Sequence, residues 1–341
     1  RPPRSTLFPY TTLFRSAVLL GPTGMGISGL LNSTTQLIRG LTSFGLETSA
    51  VKNVASAYAN SDKKRISVVV GVLRRLVWIT GLLGLLITII LAPWLSQITF
   101  GNRDYSIAFI WLSVTLLLYQ ISAGQGVLLR GMRQLKFIAR SSVLGSLMGL
   151  LVSVPIYYFF RLDGIVPAMI LSSSIALVLT WYYSAKVKII PTKIDKEVIT
   201  SEARDMLTMG FMLSLSSIIT MGSSYLIRIY ISNTGGVDQV GMYTAGFAII
   251  NSYIGMVFTA MSTDYFPRLS GIAHNNKEFA KLINQQSEIA ILILAPLLAV
   301  FIIFIRYVVV VFYSSAFAPI NEMIQWAALG IYFKASSWTI A

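Results

Sequence analysis

The chain alternates long apolar stretches with short polar ones, and the apolar stretches have membrane-spanning length. A helix that crosses the hydrocarbon core of a bilayer needs about 20 mostly apolar residues. Nine stretches meet this requirement. We therefore predict nine membrane-spanning helices, near residues 24–50, 68–98, 106–129, 137–160, 164–185, 206–232, 241–266, 285–313 and 319–341.

The first of these spans is weakly hydrophobic and rich in Gly, Ser and Thr, which favours a helix that lines a cavity or packs closely. Its start, Gly21–Ser28, has the spacing of a phosphate-binding loop. However, Ile27 stands where that loop requires lysine, and no strand precedes it. The pattern predicts a turn between helices, with no ATP hydrolysis.

Basic residues in the loops predict the orientation of the spans, because Lys and Arg remain on the cytoplasmic side. Alternate loops carry sixteen bases against two, so odd-numbered spans should end in the cytoplasm. The two external bases are Arg103 and Arg161. The sixteen are Lys52, Lys63, Lys64, Arg65, Arg130, Arg133, Lys136, Arg140, Lys186, Lys188, Lys193, Lys196, Arg204, Arg268, Lys277 and Lys281.

The two ends of the chain contain a weak internal repeat. A shift of 217 residues sets Gly24–Thr48 over Gly241–Tyr265, and acidic Glu47 then meets Asp264. The same shift carries the span at 68–98 onto the span at 285–313 without a gap. We therefore expect two similar halves in the same membrane orientation.

The N-terminal string Thr6–Ser16 matches, codon by codon, the translation of a widely used sequencing adapter. The alternative is a native polar N-terminus or a signal sequence. Pro9, Thr11 and Thr12 interrupt the apolar core that a signal sequence needs. We expect residues 1–16 to be a non-native artefact and native sequence to begin near Ala17.

Composition agrees with a membrane protein. Of 341 residues, 55% are hydrophobic and 12% charged, about half the charged fraction of a soluble domain. The net charge of +14 would suggest nucleic acid in a soluble protein, but here we expect loop bases and no nucleic-acid partner. There is no cysteine, and His274 is the single histidine, so Cys-based metal sites and His clusters are excluded. We expect no cofactor and no metal.

Two segments resemble a known family. "LLGPTGMGISGLL" (Leu19–Leu31) and "VGMYTAGFAIINSYIGMVFTAMSTDYFPRLS" (Val240–Ser270), with the paired halves, resemble O-antigen flippases. These are polysaccharide-export members of the multidrug/oligosaccharidyl-lipid/polysaccharide (MOP) superfamily. The resemblance implies an all-α, MATE-like protein of the bacterial inner membrane, with two six-helix bundles facing a central cavity. It also implies alternating access and a substrate of oligosaccharide on undecaprenyl diphosphate.

The resemblance also implies a division of the chain. With twelve helices expected, the nine spans correspond to helices 2–10, and we expect such a fragment to be inactive. The N-terminal bundle, without its first helix, would cover 17–188. A cytoplasmic loop would cover 189–204, and a truncated C-terminal bundle would cover 205–341.

Four cations lie inside the predicted spans: Arg39, Arg228, Arg306 and Lys334. A charge in a span costs about 2.5–3.5 kcal/mol on insertion scales, which makes each a functional candidate. A cation-lined cavity suits a diphosphate, to which Arg offers bidentate contacts. Three have alternatives: Arg228 at the outer headgroups, Arg306 paired with an acid, and Lys334 in a span cut short.

Two acids, Glu47 and Asp264, lie near the cytoplasmic ends of their helices. We expect them to close a cytoplasmic gate or to bind a coupling cation. Helix-end pairing with Lys52 or Arg268 is the alternative. Whether transport uses sodium, protons or neither stays open.

Other functional classes fit less well. An enzyme acting on the same lipid should carry a large external loop with catalytic groups, but the predicted external loops are short and hold no histidine. An exporter of organic cations would favour acids in its cavity. A flippase of the peptidoglycan lipid precursor remains an alternative, since its substrate carries the same diphosphate. The expected partners are the lipid-linked oligosaccharide, membrane lipids and the polysaccharide polymerase machinery.

Overall fold

The structure is a computed structural model that describes residues 8–187, 189, 196–271 and 276–339. Throughout these residues the long elements are α-helices, joined by turns and two short 3-10 helices, which confirms the predicted all-α architecture. The helices are α1 (Phe8–Thr42), α2 (Leu46–Ala59), α3 (Lys63–Phe100), α4 (Ser106–Gly131), α5 (Leu135–Phe160), α6 (Ile165–Ala185), α7 (Lys196–Gly235), α8 (Val237–Gly271), α9 (Asn276–Phe312) and α10 (Ile320–Trp338).

Six helical segments of the described residues are long and apolar enough to cross a membrane. One of them, Leu135–Ala185, contains both α5 and α6, so these segments cover seven of the nine predicted spans. The first and last predicted spans lie in α1–α2 and in α10, outside these segments. Both are helical but carry more polar side chains.

The predicted turn at Gly21–Ser28 is a kink in α1. Gly21 has φ 65° and ψ −170°, and Pro22 follows it. A positive φ favours glycine, and proline restricts the residue before it to non-helical conformations. The sequence "GP" is therefore sufficient to break the helix here.

The predicted first span, 24–50, is not one helix. Helix α1 ends at Thr42, and the chain turns through Phe44 (φ 48°) and Gly45 (φ 61°) before α2 begins at Leu46. A Cβ added to Gly45 would lie 2.0 Å from the carbonyl oxygen of Gly210. The turn thus allows a backbone-to-backbone approach of α7 that a continuous, side-chain-bearing helix would prevent.

Most helices begin before their predicted spans, as α3 and α7 show. Helix α3 begins at Lys63, where Asp62 caps it by accepting a hydrogen bond from the Arg65 amide at 2.8 Å. Helix α7 begins at Lys196, inside the segment expected as a loop. Polar helix turns continue beyond the hydrocarbon core, and apolar length alone does not reveal them.

The helices group into two compact units. Within the described residues, the first unit lies between Gly26 and Val240, and the second combines residues 8–25 with those from Gly241 to Thr339. The core of the first unit is formed mainly by α2, α3 and α4, with Leu46, Leu73 and Val127 fully buried. The core of the second unit is formed mainly by α8, α9 and α10, with Ile249 and Phe317 fully buried.

Polar side chains join helices inside the first unit. The Gln120 amide donates to the Thr80 hydroxyl at 3.0 Å, and the Ser184 hydroxyl donates to Gln125 at 2.7 Å. Such contacts satisfy polar groups that the bilayer cannot solvate. They fix the faces that α3, α4 and α6 present to one another.

Candidate functional site

The first unit contains a polar cavity of about 100 Å³ between α1, α4 and α6, which we call the Arg39 cavity. Each helix contributes residues at helical spacing, so one face of each meets the cavity. The lining residues are Asn32, Thr35, Gln36 and Arg39 of α1; Thr115, Leu116 and Tyr119 of α4; and Met169 and Ser173 of α6.

The charge of the cavity comes from Arg39, which is half-buried. Its guanidinium carbon lies 3.7 Å from the centroid of the Tyr119 ring. A cation within about 6 Å of a ring centroid is attracted by the electron-rich ring face. A guanidinium stacked on a ring keeps its N–H groups in its own plane, where they can still donate to an anion.

No ion pair neutralises Arg39 among the side chains that the structure describes, within a 4.0 Å limit. Its positive charge therefore meets a ring, two amides and hydroxyls instead of a carboxylate. This arrangement suits the binding of an anion with several oxygens, since guanidinium binds such groups through paired hydrogen bonds.

Glu47 pairs with Arg130, which differs from both partners considered from sequence. Their side-chain atoms are 3.3 Å apart, with 29% and 46% of the side-chain surfaces exposed. Glu47 lies in the first turn of α2 and Arg130 in the last turn of α4, where the helix dipoles favour each charge.

Arg228 folds back onto its own helix. Its guanidinium donates to the Ser224 carbonyl oxygen at 3.1 Å and to the Ser224 hydroxyl at 2.7 Å. The side chain is half-buried in the first unit. It does not line the Arg39 cavity, so its assignment to a shared anion site stays a prediction.

Arg306 and Lys334 belong to the second unit. Arg306 is exposed on α9, and within the described residues no carboxylate lies within 4.0 Å of it, so the expected acid partner is absent there. The Lys334 ammonium lies 5.6 Å from the centroid of the buried Phe258 ring. Their roles toward a substrate stay predictions.

Asp264 lies on α8, but its side chain is outside the described residues, so the expected gating role is untested. Metal binding was not expected from the sequence. In the described part of the chain, no group of three or more His, Asp or Glu side chains converges on a point where a metal ion would fit.

Sequence reasoning missed Tyr119 and Glu202. Tyr119 lies in an apolar span, where nothing in the sequence distinguishes it from its neighbours. The polar residues of α1 from Asn32 to Arg39 did indicate a helix face that lines a cavity. Glu202 is buried and pairs with Arg65 at 2.8 Å, and its carboxylate also accepts from Asn53. Its position in a segment expected as a loop gave no sign of burial.

A family model described as "Polysaccharide biosynthesis protein" matches residues 17–322. The chain belongs to this family. The lipid III flippases of Escherichia coli (strain K12) and Shigella flexneri are each 21% identical to this member over 327 residues, covering 94% of the chain and 77% of each relative.

Solved structures share the fold of this polysaccharide biosynthesis family member. An inward-facing multidrug resistance MATE family transporter of the MOP superfamily matches with a TM-score of 0.75 and 17% identity, covering 99% of this chain and 79% of that one. A eukaryotic MATE transporter matches with a TM-score of 0.58 and 14% identity, covering 98% and 82%. The expected MATE-like fold and polysaccharide-export membership are confirmed, and the protein is a multi-pass protein of the bacterial inner membrane.

Proposed function

We propose that the protein is a flippase that moves an oligosaccharide linked to undecaprenyl diphosphate, an O-antigen or similar unit, across the inner membrane by alternating access. The family match and the naming of two relatives as lipid III flippases support a lipid-linked substrate. The translocated unit would then pass to the polymerase machinery.

The observation that carries this proposal is the Arg39 cavity. A guanidinium without a carboxylate partner among the described residues, stacked on Tyr119 inside a membrane-spanning bundle, favours an anionic ligand. The diphosphate would accept hydrogen bonds from the exposed edge of Arg39. Asn32 and Gln36 offer further donors to phosphate or sugar oxygens, whereas the Ser173 hydroxyl donates to the Met169 carbonyl and could only accept.

The lipid tail need not enter the cavity. Polyprenyl chains are apolar and gain nothing from a polar lining, so the tail would stay in the bilayer while the head group crosses. The remaining predicted cations, Arg228, Arg306 and Lys334, would meet the anion at other stages of the cycle. Glu47 would act in gating through its pair with Arg130, and Asp264 would act at the matching position of the second half.

The test is translocation in proteoliposomes by the purified product of the intact gene. Undecaprenyl diphosphate carrying a fluorescent saccharide is placed in one leaflet, and its arrival in the other is followed by quenching. We expect translocation by the wild type and a loss of more than about tenfold for Arg39→Ala, since a charge-assisted hydrogen bond is worth about 1.5–3 kcal/mol. Transport of organic cations with no lipid translocation would overturn the proposal in favour of a drug exporter. A preference for the peptidoglycan precursor would overturn the substrate assignment only.

A further inference from the structure

The first unit carries a second cavity with a different chemistry, between α3 and α7. It has a volume of about 550 Å³, and we call it the α3–α7 groove. Its floor is apolar and includes Val72, Leu76, Ile79 and Leu207, and its edges carry Arg75 and Arg204. It shares no lining residue with the Arg39 cavity.

One face of each helix forms the groove. Val72, Arg75, Leu76 and Ile79 recur at the three- and four-residue spacing of a helix face on α3. Arg204 and Leu207 recur in the same way on α7. Ile79 is 61% exposed and Leu207 is half-buried, so both offer accessible apolar surface, whereas Val72 and Leu76 are buried beneath them.

Both arginines are exposed and carry unneutralised charge. Within the side chains that the structure describes, no carboxylate oxygen lies within 4.0 Å of either guanidinium. The neighbouring acid Glu202 is already paired with Arg65. Two such cations beside an apolar floor need a ligand that is anionic at one end and apolar at the other.

The depth of the groove agrees with a lipid of the cytoplasmic leaflet. Helix α3 has 38 residues and α7 has 40, whereas about 20 residues cross the hydrocarbon core, so their ends extend into the headgroup region. The groove lies toward the N-terminal ends of both helices. The positive-inside pattern puts these ends on the cytoplasmic side, where anionic lipids attract basic pockets between helices.

We propose that the α3–α7 groove binds an anionic phospholipid of the cytoplasmic leaflet. Arg75 and Arg204 would hold the headgroup phosphate, and one acyl chain would lie along Ile79 and Leu207. The hydroxyl groups of Thr200 and Thr208 also line the groove and add hydrogen-bonding groups for the headgroup. This lipid site does not depend on the substrate that the protein moves.

The test compares lipid binding by the full chain and its variants with native mass spectrometry in detergent, using dioleoyl phosphatidylglycerol and dioleoyl phosphatidylcholine. We expect the wild type to prefer phosphatidylglycerol. The double variant Arg75→Gln/Arg204→Gln should lose about 10- to 30-fold of that preference, from two lost cation contacts. Both side chains are exposed, and an unchanged unfolding temperature will show that the variant is folded.

The matched control for the single variant Arg75→Gln is Arg74→Gln, which also removes one charge, at the adjacent position. Arg74 lines a different cavity, with Trp78 and Trp181. We expect this variant to bind phosphatidylglycerol like the wild type. An equal loss in Arg74→Gln would overturn the proposal, because binding would then follow net charge alone. Displacement of phosphatidylglycerol from the groove by equimolar undecaprenyl diphosphate would also overturn it, in favour of a substrate entry site.

Discussion

The guanidinium carbon of Arg39 on α1 lies 3.7 Å from the centre of the Tyr119 ring on α4. The two residues are far apart in sequence, and we propose that their contact orients an intramembrane charge for anion binding. The ring supports the cation without neutralising it. An acid in the same place would compete with an anionic substrate.

Two substitutions of Tyr119 should distinguish the contribution of its ring from that of its hydroxyl. Tyr119→Phe keeps the ring face and should translocate like the wild type. Tyr119→Leu removes it and should weaken the apparent affinity for the lipid-linked saccharide about 2- to 5-fold, since an exposed cation–π contact is worth about 0.5–1 kcal/mol. Measuring proteoliposome transport over a range of substrate concentrations gives the apparent affinity of each variant. Equal losses in both variants would assign the effect to the hydroxyl and contradict the account.

The Glu47–Arg130 pair should behave as a unit. Glu47→Arg or Arg130→Glu alone places like charges together and should slow translocation. The double reversal restores opposite charges and should recover most of the rate. The coupling should be small, about 0.2–1 kcal/mol, because both side chains are partly exposed. Transport rates of the wild type, the two single variants and the double variant give this coupling. A double variant whose loss of rate equals the combined losses of the two single variants would exclude a gating pair.

The contact between Gly45 and Gly210 should tolerate no side chain. A Cβ on Gly210 would lie 2.5 Å from the Phe44 carbonyl oxygen, so Gly210→Ala should destabilise the protein by about 1–3 kcal/mol. Gly222→Ala on the same helix is the matched control, since its Cβ would meet only Leu37 at 3.9 Å. Thermal unfolding in detergent compares them. Equal unfolding temperatures would mean that the turn at Gly45 and helix α7 do not approach as described.

The predicted membrane orientation is directly testable, because the chain contains no cysteine. Single cysteines at the exposed positions Lys64, Arg133, Arg103 and Arg161 need no altered background. We expect an impermeant thiol reagent added outside spheroplasts to label Arg103→Cys and Arg161→Cys. Lys64→Cys and Arg133→Cys should react only after permeabilisation. The reverse pattern would invert the topology.

The helices could be predicted from sequence because the bilayer imposes a minimum apolar length, and the spans from 68–98 to 285–313 were found on that basis. The break between α1 and α2 at Phe44–Gly45 was not predicted, since it depends on Gly210 in a helix distant in sequence. Arg39 was identified by its cost in a membrane. The contacts of Tyr119 with Arg39 and of Arg130 with Glu47 were not predicted, because a single sequence does not tell which helix faces meet.

The proposed function rests on the binding of a lipid-linked anionic saccharide by Arg39. The most direct measurement uses a deletion of the intact gene from its source strain, complemented with the wild type, Arg39→Lys or Arg39→Ala. The amount of lipid-linked oligosaccharide in each leaflet is then quantified. The account predicts accumulation in the cytoplasmic leaflet, rescued by the wild type, partly by Arg39→Lys, and not by Arg39→Ala. Normal surface polysaccharide in the deletion strain, together with new sensitivity to cationic drugs, would contradict it.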